Sequence, residues 1–143
     1  MIRLAKIPAW QTKALMASEA ESELWAAWGE ILVDNVWRRP VIDSELDAEF
    51  EDWVELSKFG EEMVRHNIGF MKSFRFNRVS GGGSGVAPIQ LDSMFHAVMA
   101  SNYATLHELR TIYSLEDVFL MLDSITTTKV NEKIALANAT AGK

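Results

Sequence analysis

A chain of 143 residues, 48% of them hydrophobic, is long and apolar enough to bury a core, which excludes a disordered tail. It has no cysteine, so disulfides and thiolate metal sites are excluded, and its net charge of −6 argues against nucleic acid as the main ligand. Residues 1–8 lack the apolar core of a signal peptide, and no window is apolar enough to cross a bilayer. The expectation is a soluble, cytoplasmic protein with no membrane partner.

In chain order, Pro8 stands at the first turn of a short helix. Over residues 18–37, Leu24, Trp28, Ile31, Leu32 and Val36 recur at spacings of three and four. That pattern predicts one helix, capped by Ser18 or Ser22, favoured at its end by Arg38 and Arg39, and stopped by Pro40. Asp43 or Ser44 caps a further helix, with Leu46, Phe50, Trp53 and Val54 on one stripe and Leu56, Phe59 and Met63 on another. Gly60 weakens its middle, and Gly69 ends or kinks it. Residues 74–79 read equally as a short strand or a frayed helix end.

The run Ser80-Gly81-Gly82-Gly83-Ser84-Gly85 divides the chain. No helix or strand interior carries four such glycines cheaply. Beyond it, Met94, Phe95, Val98 and Met99 share one helical face, and a short helix turns Leu106, Leu109, Ile112 and Tyr113 inward. Ser114 with Asp117 approximates a capping box for a helix buried through Leu115, Val118, Phe119, Leu122 and Ile125. Thr126-Thr127-Thr128 breaks that pattern before a last helix with Val130, Ile134, Ala137 and Ala141. The predicted class is all-α: a helical bundle of two modules, 1–79 and 89–143, joined by a flexible linker at 80–88. A natural linker, a frameshift junction and an engineered linker would all look like this run.

Charge separates the halves. Residues 1–70 carry 14 carboxylates against seven cations, and nine of those carboxylates fall within residues 43–62, which hold the single cation Lys58. A solvated helix face and a surface for a basic protein both fit that pattern.

Catalytic and ligand motifs fail on their spacing. The glycine run is followed by Val86-Ala87-Pro88, where a phosphate loop needs Lys and Ser or Thr. His107-Glu108 begins like a zincin helix but lacks the second histidine one turn on. No serine has a nucleophile-elbow frame. The expectation is therefore no enzyme, no metal and no cofactor.

The five tryptophans all lie within the first 53 positions. Trp25, Trp28 and Trp53 fit core stripes, whereas Trp10 and Trp37 sit near predicted helix ends, where aromatics anchor partners. The candidate partner-binding residues are Trp10, Trp37, Glu51, Asp52, Glu55, Leu115, Phe119 and Met121.

Residues 107–123, HELRTIYSLEDVFLMLD, and residues 129–137, KVNEKIALA, resemble the C-terminal module of tailed-phage tail assembly chaperones. The resemblance covers about a quarter of the chain, mainly within 107–137, and carries no site residues. It implies a non-enzymatic role in tail building, with the tape-measure and tail-tube proteins as partners. Two alternatives stand beside it: a small acidic inhibitor that imitates nucleic acid on a host protein, and a structural head–tail adaptor or decoration protein.

Overall fold

The computed structural model describes residues 1–76 and 90–142. Its elements are β1 (Ile2–Arg3), α1 (Ala9–Ala17), α2 (Ser22–Ala26), β2 (Glu30–Val33), β3 (Val36–Arg38), α3 (Asp43–Asp47), α4 (Trp53–Ile68), α5 (Ser93–Ala100), α6 (Leu106–Thr111) and α7 (Leu115–Ala141). A 3₁₀ turn, Gly69–Lys72, follows α4.

The all-α expectation is wrong: a three-stranded antiparallel sheet of order β1-β2-β3 sits among the helices. The helix expected over residues 18–37 is instead α2 followed by a hairpin. Leu32 faces Trp37 and Val33 faces Val36 across it. Asp34 and Asn35 both adopt positive φ, 51° and 62°. A two-residue turn with both residues left-handed matches the twist of a hairpin, and Asp and Asn tolerate that conformation better than other non-glycine residues. That local chemistry outweighs an apolar spacing that a short β-branched run also satisfies. β1 completes the sheet through Ile2 opposite Ile31 and Arg3 opposite Glu30.

The helix expected from residue 43 is also two helices. α3 ends at Asp47, and α4 begins at Trp53 under an Asp52 N-cap whose side chain accepts from the Glu55 N–H. Neither Asp43 nor Ser44 caps α3; Ile42 occupies that position. Gly60 is no weak point: an added Cβ would run into the Ser22 carbonyl, so the glycine lets α4 lie directly on α2. The Ser22 and Ser57 hydroxyls, 3.0 Å apart, hydrogen-bond across that contact.

α7 runs unbroken through the three threonines. Thr126 and Thr128 donate their hydroxyls to the carbonyls of Asp123 and Ser124, which keeps these side chains compatible with helix. At its start the capping box is complete: Ser114 accepts from the Asp117 N–H, and Asp117 accepts from the Ser114 N–H. Ile112, expected inward, is exposed.

Segments on both sides of the glycine run share one core. Ala9 of α1 packs with Phe95, Val98, Leu109, Leu115, Val118 and Phe119. Phe70 and Phe74 meet the Phe119 ring edge-on at 5.0 and 5.3 Å. The segment before α1 threads between the halves: Ile7 N–H donates to Asn67, Ala9 N–H to the Tyr113 carbonyl, and Lys6 bridges the His66 carbonyl and Glu116. Phe74 to Phe76 form neither strand nor helix. The linker expected at 80–88 lies outside the described residues, as do positions 77–79.

Candidate protein-binding surfaces

Breaking one expected helix into α3 and α4 creates a groove. α2, α3 and α4 enclose about 490 Å³ lined by Leu24, Ala27, Leu46, Trp53 and Leu56, with Glu23, Asp43 and Asp47 around them. A recess of about 220 Å³ adjoins it, sharing Asp47, Trp53 and Leu56 and adding Phe50, Glu51 and Asp52. No Lys, Arg or His lines either space. Leu46 and Leu56 belong to the core beneath, whereas Trp53 is 57% exposed and Leu24 52%. Trp53 thus departs from the core role its spacing suggested. It sits at the first residue of α4, on the solvent side of the groove.

The acidic residues around this groove fall into two groups. Glu45 is bound: its carboxylate takes two contacts from the Arg38 guanidinium, at 2.6 and 3.1 Å, and a third from the Val41 N–H at 2.7 Å. The Arg38 hydrogen bond, then the backbone bond, bring its pKa down to about 2, and the same contact raises that of Arg38. Glu30 pairs with Arg3, and Glu49 with the Met1 amino group. By contrast, Glu23, Asp43, Asp47, Glu51 and Asp52 make no ion pair among the described residues.

Of the acidic candidates, Asp52 and Glu55 act locally on the backbone. Asp52 caps α4, and the Glu55 carboxylate reaches back to accept from the Glu51 N–H at 2.9 Å. Their spacing is that of a helix start, the role the sequence assigns to Asp43 or Ser44. All three remain exposed.

The tryptophans are treated unequally. Trp25 is buried. The half-buried Trp10, Trp28 and Trp37 each lie beneath an arginine of this chain: Arg110 at 4.6 Å, Arg39 at 3.2 Å and Arg3 at 4.3 Å from the ring centroid. Trp10 also stacks on Phe95, with ring centroids 5.7 Å apart. The two expected anchors, Trp10 and Trp37, are therefore largely engaged within the fold. Trp53 has no arginine over it among the described residues.

The remaining candidates lie on α7, and the structure does not bring them together with the acidic ones. Leu115 and Phe119 are buried in the shared core, and Met121 packs against its edge. Beyond Ile125, the last buried residue among those described, α7 continues to Ala141, about 24 Å at 1.5 Å per residue. Residues 131–142 are all exposed, including Ile134 and Leu136.

Among the described residues no group of His, Cys, Asp or Glu is placed to hold a metal ion, and no helix is long and apolar enough to cross a membrane. No protein-family model, curated protein or solved structure significantly matches the chain.

Proposed function

We propose that this chain is a non-enzymatic assembly chaperone or adaptor that binds the tape-measure and tail-tube proteins while a phage tail is built. The observation that carries this reading is the C-terminal half of α7. A helix whose last dozen described residues are all exposed is marginal in water, because nucleation is costly and most helical stability comes from packing. Val130, Ile134, Ala137 and Ala141 repeat along it at spacings of four and three, the pattern by which a helix seats itself in another protein's groove. The segment resembling tail assembly chaperones begins at α6, includes the capped start of α7 and extends into this projecting end.

Co-expression with the tape-measure and tail-tube proteins, followed by size-exclusion chromatography with light scattering, tests the proposal. The full chain is expected to co-elute with one or both, and a chain ending at Thr128 to fold but elute alone. Absence of co-elution by the full chain, or binding unchanged by the truncation, would overturn it.

A further inference from the structure

The groove between α2, α3 and α4 offers chemistry that this chain does not itself complete. Its floor is apolar and partly exposed at Leu24 and Trp53. Its rim carries three carboxylates, Glu23, Asp43 and Asp47, and the adjoining recess adds Glu51 and Asp52. None of the five makes an ion pair among the described residues, although three other acidic residues of the same half, Glu30, Glu45 and Glu49, are paired. Every half-buried tryptophan has a guanidinium of this chain over its ring, and the most exposed one, Trp53, does not.

We propose that this groove docks a basic amphipathic helix of a partner protein. Apolar side chains one turn apart would cover Leu24 and fill the space above Leu46 and Leu56. Flanking Lys and Arg would meet Asp43 and Asp47, and one guanidinium would stack on Trp53 as arginines do on Trp10, Trp28 and Trp37. The sign of the rim excludes a phosphate-bearing ligand. An unstructured polycation would satisfy the rim but leave Leu24 and Trp53 facing water, so the occupant needs an apolar stripe as well as charge. Charge complementarity of this kind mainly accelerates and orients docking, while the buried aromatic contributes more of the affinity. This surface is separate from the exposed end of α7 and does not depend on the tail-assembly reading.

The test uses the full chain, ¹⁵N-labelled, and a synthetic helical peptide of about 18 residues with leucines at i, i+3, i+4 and i+7 and lysine and arginine between them. A scrambled peptide of equal composition is the control. The helical peptide is expected to bind with a Kd of about 10 μM or tighter. It should shift the Trp53 indole N–H resonance while leaving those of Trp10, Trp28 and Trp37 in place. Asp43→Asn with Asp47→Asn, both on exposed residues, should weaken binding about tenfold without altering the thermal midpoint. Trp53→Ala should weaken it at least as much. No binding, equal binding of the scrambled peptide, or insensitivity to the paired Asn substitutions overturns the proposal. Tighter binding of a peptide spanning residues 126–143 of this chain would assign the groove to a second copy and likewise overturn it.

Discussion

The buried Asn67 side chain accepts the Ile7 N–H at 2.7 Å and donates to the carbonyls of Ala5 and Met63, at 3.1 and 2.9 Å. One side chain on α4 thereby fixes the extended segment that leads into α1, and that segment in turn meets the start of α7 through Pro8, Ser114 and Tyr113. Asn67→Leu keeps the volume but strands the Ile7 N–H and the Ala5 carbonyl without partners. Each such buried group costs about 1–3 kcal/mol, so a loss of about 3 kcal/mol is expected. For a domain of this size that lowers the midpoint by roughly 8 °C. Asn67→Asp retains an acceptor for Ile7 but loses both donors and buries a charge, so its defect should ease as pH falls and the carboxyl is protonated. Thermal unfolding of both variants decides this; a loss below about 1 kcal/mol for the leucine variant would contradict it.

Gly60→Ala separates helix propensity from packing. In an exposed helix interior the change stabilises by about 1 kcal/mol. Here the new Cβ meets the Ser22 carbonyl, which belongs to the backbone and cannot swing aside. α2 must move off α4, lengthening the Ser22–Ser57 hydrogen bond and loosening Trp25 against Met63. A net destabilisation of about 1–3 kcal/mol is expected by denaturant unfolding, opposite in sign to the propensity effect. A stabilised variant would show that the two helices are not held this close.

The sequence revealed elements whose local signals agree and obscured those whose signals compete. Ser114 and Asp117 give a capping box and the apolar stripe that follows is buried apart from the half-buried Leu122, so the start of α7 is legible from its residues. The same holds for Gly69 ending α4 and for the inward Phe95 and Val98 of α5. Around Asp34 and Asn35 the apolar spacing suited a helix while the turn residues suited a hairpin, and the turn prevailed. The break between α3 and α4 depends on Asp52 acting as an N-cap in a run so acidic that several residues could have done so. The groove was illegible for that reason, since it exists only once that break is made. The spacing of Trp53 points to the core, and nothing in its neighbours indicates that the chain leaves it uncovered.

The bond between Arg38 and Glu45 should give the hairpin–α3 junction a defined acid sensitivity. The folded carboxyl titrates at about 2 against an ordinary 4.5, so between those values the unfolded chain binds more protons than the folded one. Its contribution is thus complete above the unfolded value and declines as pH falls from about 4.5 through about 2. Glu45→Gln removes this component. The midpoint difference between wild type and Glu45→Gln is expected to be largest above about pH 5 and to shrink toward zero near pH 2. Arg38→Ala should remove most of the same dependence, because only the backbone N–H groups of Val41 and Ile42 then hold the carboxylate. A difference that stays constant across that range would show that the pair does not persist in solution.

The exposed end of α7 makes a prediction about dynamics that needs no partner. Val118 and Phe119 lie in the core, so their amides open only when the domain unfolds. Residues 131–142 are all exposed, and a single helical extension of that length frays readily from its free end. Amide exchange of the isolated chain should therefore be slow up to about residue 125. From residue 131 onward it should lie within roughly tenfold of the unstructured rate. Removing everything after Thr128 should change the thermal midpoint by no more than about 2 °C, because no fully buried residue is lost and Val130 is the one half-buried side chain removed among the described residues. Strong protection of residues 131–141 that disappears on dilution would instead mean that these helices already pack against one another in the free protein. Protection that appears only when a partner is added is the outcome expected of a docking helix.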